Sequence, residues 1–254
     1  MTATNSSAAD SAASGSAASD SAASGPVLAL DEVSFGFTQR GKTRHILRRV
    51  SHEFHAGRVY SIVGPSGSGK TTLLSLLSGL SAPQSGRVRY AGRDVAEIGL
   101  ERYRNRHVAT VFQSLNLLDY MTAVQNVTSA MEITRVKGVD RKQRANELLD
   151  RLGIDEHDRH RRTLRLSGGQ QQRVAIARAV ACDVSVLCAD EPTGALDEET
   201  ASGIIGVFRE LAHEQGRCVV LVTHSREVAR ASDEILRLKG GTLRREEPRG
   251  AARR

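Results

Sequence analysis

Arg58-Val59-Tyr60-Ser61-Ile62-Val63-Gly64-Pro65-Ser66-Gly67-Ser68-Gly69-Lys70-Thr71-Thr72-Leu73-Leu74-Ser75-Leu76-Leu77 is the stretch that decides the fold. Its first six residues read as a strand and its last six, Thr72 to Leu77, as a helix. Between them Gly64 to Thr71 satisfies G-x-x-x-x-G-K-[ST], the pattern of a phosphate-binding loop, in the strand-to-helix context that pattern requires. Glycines at 64, 67 and 69 let backbone N–H groups wrap phosphate oxygens. Lys70 is placed to reach the β- and γ-phosphates, and the Thr71 hydroxyl to ligate Mg²⁺. A strand followed by such a loop and helix implies an α/β fold built on a mostly parallel sheet.

Further along, Val184-Ser185-Val186-Leu187-Cys188-Ala189 is a nearly continuous apolar run, as expected for a strand covered on both faces. It ends in Asp190-Glu191-Pro192. Carboxylates at the C-terminal edge of a parallel strand lie in the crevice where α/β sheets bind ligands, and Pro192 stops the strand. Asp190 is the expected Mg²⁺ partner and Glu191 the expected base or positioner for an attacking water. A second apolar run, Cys218-Val219-Val220-Leu221-Val222-Thr223, delivers His224 to the same edge.

Leu166-Ser167-Gly168-Gly169-Gln170 opens the helix running through Val174, Ile176, Ala177 and Val180. Ser167 and Gln170 form a capping-box pattern. Two glycines where a helix begins each cost about 0.5–1 kcal/mol relative to alanine, which points to close approach of an anion to bare backbone amides.

The ordered set resembles the nucleotide-binding subunit of ATP-binding cassette (ABC) transporters, over about residues 27–244. On this resemblance Gly64 to Thr71 is the Walker A loop, Gln113 the Q-loop glutamine and Leu166 to Gln170 the signature. Leu187 to Asp190 is then the Walker B strand, Glu191 the catalytic glutamate, Ala195-Leu196-Asp197 the D-loop and His224 the switch histidine. It also implies the full set of site residues: Glu191, His224 and Gln113 for catalysis, and Thr71, Gln113 and Asp190 for Mg²⁺. ATP would be held by Phe37, Gly64 to Thr72, Ser167 to Gln170 and Asp197. The implied fold is a RecA-like P-loop core with an N-terminal antiparallel β-subdomain and an inserted helical subdomain, about 114–166. Two such subunits are expected to sandwich two ATP head to tail, so Ser167 and Gly169 would serve an ATP bound by another chain.

In the family an aromatic residue upstream of Walker A stacks on adenine. Phe35 and Phe37 are the candidates here, and spacing favours Phe37 in the place of the usual tyrosine. Strand alternation offers a competing account in which both phenylalanines share one face and pack. Asp119 and Val184 stand where relatives often carry proline.

Of the 254 residues, the first 26 form an Ala/Ser-rich tail with repeated Ser-Ala-Ala-Ser units and no large apolar side chain before Val27 apart from Met1. Such a segment cannot offset its ordering entropy and is expected to be disordered. The cassette itself is placed at 27–247, and the basic end, Arg244 to Arg254, reads as a frayed tail, with 248–254 outside the domain. No run approaches the 18–20 apolar residues of a membrane span, and a basic start with a long apolar stretch is missing. The chain is thus expected in the cytoplasm, and the family resemblance implies that it is peripheral to the membrane through a permease. Cys182, Cys188 and Cys218 lack C-x-x-C spacing and read as buried small hydrophobes. The net charge of +7 is spread along the chain and is not interleaved with aromatics, which total 4%, so no nucleic-acid partner is expected.

Between Gln113 and Leu166 the pattern turns to amphipathic helix. Asp140 and Gln143 read as a capping box before Ala145, Leu148, Leu149 and Leu152, with Gly153 as the stop. The family resemblance implies that the groove between Gln113 and this insert receives a coupling helix of a separate permease chain. Leu115 to Val127 also resembles the branch serving lipoprotein release, macrolide or peptide efflux and cell-division-type permeases. The alternative is a soluble ABC ATPase driving a DNA, ribosome or cell-wall/division machine. Only 97 positions separate Lys70 from Ser167, too few for the coiled-coil insertions of chromosome-type members, and there is one Walker A and one signature. The partner cassette is a second copy or a paralogue.

Overall fold

The computed structural model describes residues 25–39 and 42–246. In chain order the elements are β1 (Leu28–Gln39), β2 (Lys42–Phe54), β3 (Arg58–Val63), α1 (Lys70–Leu77), β4 (Ser85–Tyr90), β5 (Arg93–Asp94), α2 (Val95–Ile98), α3 (Leu100–Arg106) and β6 (Val108–Val111). Then come α4 (Ala123–Ile133), α5 (Arg141–Arg151), α6 (Glu156–Arg159), α7 (Gly168–Val180), β7 (Val186–Asp190), α8 (Glu198–His213), β8 (Cys218–Val222), α9 (Arg226–Arg230), β9 (Glu234–Lys239) and β10 (Thr242–Glu246).

Two sheets result. The six-stranded one runs β10-β9-β3-β8-β7-β6; β9, β3, β8, β7 and β6 are mutually parallel and β10 pairs antiparallel at the edge. The four-stranded one, β2-β1-β4-β5, is antiparallel throughout. The apolar runs of β7 and β8 are covered on both sides, and the two-residue period of a strand divides them between two cores. Leu187, Ala189, Val219 and Leu221 face the core packed with α7 and α8, whereas Val186, Cys188, Val220 and Val222 face the core shared with α1 and the antiparallel sheet. Tyr60, Tyr103, Phe54 and Phe208 are the largest side chains sealed in these layers. All three cysteines are buried and free, as the sequence implies.

Several local expectations shift. Asp140 does cap α5, accepting from the Lys142 and Gln143 amides, but the Asp140 amide makes no reciprocal bond to Gln143 Oε1, and the Gln143 side chain is turned along the helix, where its Nε2 donates to Glu147. An i,i+4 carboxylate competes with the helix end for that side chain. Arg244 to Glu246 is not a frayed end but the second half of β10, held by pairing with Ile235 to Arg237 and by an Arg237–Glu246 ion pair. The Ala/Ser tail up to residue 24 and the basic segment 248–254 lie outside the described residues. Between 114 and 166 the chain forms α4, α5, α6 and a 3₁₀ turn at Thr163–Arg165, with no strand among the described residues there. No helix of the described residues is long and apolar enough to cross a membrane.

Candidate functional site

The parallel order β3-β8-β7-β6 brings four strand ends to one edge. Ile62 and Asp190 both pair with Val222, and Ala189 with Val111. The segments leaving those ends, Gly64 to Thr72, His224, Asp190-Glu191 and Gln113, therefore converge. They line a cavity of about 690 Å³ together with Ile46, Gln172, Gly194 and Ala195.

The loop after β3 is built on close approaches. A Cβ on Gly64 would lie 2.3 Å from the Leu238 carbonyl oxygen, and one on Gly69 2.5 Å from Ile46 Cγ2. Gly69, with φ of +101°, precedes α1 in a left-handed conformation that a side chain would resist. Lys70, only 7% exposed, donates to the carbonyls of Gly64 (3.1 Å) and Pro65 (3.2 Å), so its ammonium is held over the loop. Ser68 Oγ is buried without a hydrogen-bond partner, as is Glu191 Oε1. Such orphaned groups are costly in a protein interior and mark where a polar ligand fits.

Opposite the loop, Asp190 ends β7 at 5% exposure. Glu191 follows with φ of +49°, and its amide still donates to the Val222 carbonyl at 2.9 Å. That left-handed kink turns the carboxylate toward His224, whose Nε2 stands 3.5 Å from Glu191 Oε1. Thr71, exposed at the start of α1, and Gln113 complete the wall.

The signature residues lie elsewhere. Ser167 Oγ accepts from the Gln170 amide while Gln170 Oε1 accepts from the Ser167 amide, the complete capping box that the sequence implies. Gln170 Nε2 also donates to Asp158, and Arg161 together with that amide holds the Asp158 carboxyl below the usual range. Ser167 and Gly168 are exposed, and none of Ser167 to Gln170 lines the cavity. Asp197 is likewise outside it; it caps α8 through the Thr200 amide (2.9 Å) and hydroxyl (2.8 Å), which depress its pKa.

Phe37 is 58% exposed, and its ring meets Phe35 edge-on at 5.4 Å. Phe35 is the one that packs against the core. The register shifts between Val33 and Phe35 and between Phe35 and Gly36 each place the extra residue on β2, so the alternation of β1 runs unbroken from Phe35 to Phe37. The two phenylalanines thus share one face, but only Phe35 is buried against the core and Phe37 stands exposed beside it.

Gln172 is a site residue that motif reading passes over. It is 3% exposed, and its Nε2 donates at 2.8 Å to the Pro192 carbonyl, one residue past Glu191. A polar side chain four residues before Ile176, on the buried stripe of α7, is the signal that could have revealed it.

A phosphate-binding loop facing strand-terminal carboxylates on a parallel sheet, with an antiparallel sheet packed alongside, defines a P-loop nucleotide hydrolase of the cassette type. Comparison with known proteins agrees: the family described as ABC transporter matches residues 47–194. The chain belongs to that family, as an ATP-binding, ATP-hydrolysing domain. It is 47% identical over 208 residues to the uncharacterized ABC transporter ATP-binding protein YclH of Bacillus subtilis, covering 82% of this chain and 92% of that protein. It is 38% identical over 230 residues to the macrolide export ATP-binding/permease protein MacB of Escherichia coli K12, where it spans 88% of itself but only 35% of the larger protein. Among solved structures, the dimeric ATP-binding cassette MJ0796 in a post-hydrolysis state bound to ADP and Pi aligns with a TM-score of 0.82 at 35% identity, covering 88% of this chain and 99% of that one.

Proposed function

We propose that this chain pairs head to tail with a second cassette around two ATP and drives a separate membrane permease, as an exporter or a lipoprotein- or peptide-type system. One observation carries the pairing: the hydrolytic groups line the chain's own cavity, while Ser167 to Gln170, a capped helix end with bare amides suited to an anion, lie outside it with Ser167 and Gly168 exposed. Each chain then holds half of two sites. The dimeric state of the related MJ0796 cassette supports this reading, and the printed ATP-binding/permease description of MacB supports the coupling.

In this reading Lys70 leaves its two loop carbonyls for the β- and γ-phosphates. The Gly67 and Gly69 amides cradle them, and Ser68 Oγ gains its missing partner. Phe37 offers its exposed face to adenine. Thr71, Asp190 and Gln113 are oxygen donors around one cavity, which fits Mg²⁺ bound by one or two protein ligands, phosphates and water. The ion would neutralise charge developing on the phosphates. Glu191 accepts the proton of the attacking water, and His224 orients the glutamate and the γ-phosphate. Gly169 and Ser167 close the site of the partner, with Asp197 at the crossing.

The cassette spans 27–247 with the helical insert at 114–166, and the chain sits on the cytoplasmic face of the membrane through its permease. Lys70→Ala tests the nucleotide site. A titration should show loss of tight ATP binding, and unchanged affinity would overturn the assignment. Affinity purification from solubilised membranes tests the permease; recovery of the chain without any multi-span partner would overturn that part.

A further inference from the structure

We propose that Arg178, near the C-terminal end of α7, is a positioning residue for Gln113, resting on the reading above in which Gln113 serves the nucleotide site. Its guanidinium reaches across to the loop after β6, where Nη1 donates to the Asn116 carbonyl at 2.5 Å and Nη2 to the Leu115 carbonyl at 2.7 Å. Those two residues are consecutive and both left-handed, with φ of +60° at Leu115 and +48° at Asn116. A leucine in that region is a conformational outlier that persists only where its surroundings over-determine it.

The Arg178 fork supplies that constraint. Within the loop, the Leu115 amide donates to the Phe112 carbonyl at 3.0 Å, closing a turn that contains Gln113, and the Asn116 amide donates to the Ser114 carbonyl at 2.6 Å in a second tight turn that follows it. Burial drives the guanidinium's pKa down, against a smaller raising influence of Cys182. The far side of the loop is anchored independently: the buried Asn126 donates to the Leu118 carbonyl (3.1 Å) and accepts from the Leu118 amide (2.9 Å), and Thr163 Oγ1 donates to the same carbonyl. A loop clamped at Leu118 and at Leu115-Asn116 leaves Gln113 one way to enter the cavity.

The same helix carries two other contacts with the chemistry. Its N-terminus is the Ser167 capping box, and its Gln172 holds the Pro192 carbonyl beside Glu191. Arg178 thereby makes α7 a rigid link between the end offered to a partner's ATP, the Glu191 turn and Gln113. A lysine keeps the charge but lacks the planar fork that fixes two parallel N–H donors against both carbonyls, so it would hold the pair less rigidly.

The test is a double-mutant cycle in the full chain, with kcat for ATP and nucleotide affinity both measured. Arg178→Met should lower kcat by 10-fold or more while leaving ATP affinity within about twofold, since the phosphate loop is untouched. Arg178→Lys should recover part of the loss. In a Gln113→Ala background Arg178→Met should cost almost nothing further, because its effect runs through Gln113. Effects that multiply, or a kcat of Arg178→Met equal to that of the parent, would overturn the inference. If Gln113→Ala itself turns over like the parent, the role of Gln113 fails instead. Should Arg178→Met show no cooperative unfolding, Arg178→Lys carries the cycle: its smaller fall in kcat should vanish in the Gln113→Ala background, and a parent-like kcat or effects that multiply would overturn the inference.

Discussion

Glu191 and His224 grip each other twice across the ends of β7 and β8: the histidine amide donates to Glu191 Oε2 at 3.2 Å, and its Nε2 lies 3.5 Å from Oε1. The first contact is a hydrogen bond and the second is too loose to be one, which leaves Oε1 buried and unpaired at the cavity wall. Holding a glutamate at φ of +49° costs on the order of 1–3 kcal/mol, and the backbone bond to Val222 helps to sustain it. Glu191→Gln keeps that geometry and removes the base. Steady-state hydrolysis should fall about 10²–10⁴-fold with ATP affinity preserved; hydrolysis at the parent rate would remove Glu191 from the mechanism.

Gly64→Ala should be far more damaging than Gly67→Ala, although both lie in the same loop. The first adds a methyl 2.3 Å from the Leu238 carbonyl, so β9 or the loop backbone must move, whereas the second, at φ of +71°, meets nothing within 4 Å. Strain alone should cost Gly67→Ala about 1–2 kcal/mol. Overpacking against fixed backbone should cost Gly64→Ala about 1–3 kcal/mol or more and distort the phosphate cradle. Chemical denaturation with and without ATP checks both. Equal losses of stability and of ATP-induced stabilisation in the two variants would refute the close-approach account.

His52 should make the fold acid-sensitive. Its ring sits edge-on between Phe54 (4.7 Å) and Tyr60 (6.0 Å), and burial lowers its pKa despite the raising influence of Glu234 and Glu53; His55 and Arg245 lower it further. Below 6.5 the unfolded chain takes up a proton that the folded histidine resists, so stability is present above that pH and is lost as pH falls toward the depressed folded value. Thermal melts between pH 7.5 and 5 should show this decline, and His52→Leu should flatten it. His107, lowered by burial and by Arg102 and Arg106, leaves a residual slope. An unchanged slope in His52→Leu would assign the effect to other groups.

What the sequence made legible follows the rules that are local. The strand-loop-helix from Arg58 to Leu77, the Ser167 cap and the buried strands ending at Asp190 and Val222 each announce themselves by periodicity, glycine spacing or a capping pair, and the structure places them as expected. Phe37 was ambiguous because it shares one face of β1 with Phe35, and only the surrounding packing, which covers Phe35 and leaves Phe37 exposed, separates the two. Arg244 looked frayed because its strand partner, Arg237, is contributed by the preceding strand of a hairpin that Gly240 and Gly241 turn at positive φ. Gln172 and Arg178 escaped because they act on carbonyls of residues 20 and 62–63 positions away, which no spacing rule reports.

Ser167 has two duties that substitution can separate. Inside the chain it caps α7, and losing a serine cap costs about 0.5–2 kcal/mol, so Ser167→Ala should lower the melting temperature modestly and keep the helix end open. Ser167→Arg places a long cation at an exposed helix end that, in the head-to-tail arrangement, must close over the γ-phosphate of another chain. Each monomer should still bind ATP, because none of the signature residues lines its own cavity. In a Glu191→Gln background, size-exclusion chromatography with ATP should show a dimer for that variant and for Ser167→Ala, and a monomer for Ser167→Arg. A dimer in all three would mean that the signature end of α7 does not form the closed interface, and the shared-site mechanism would fall with it.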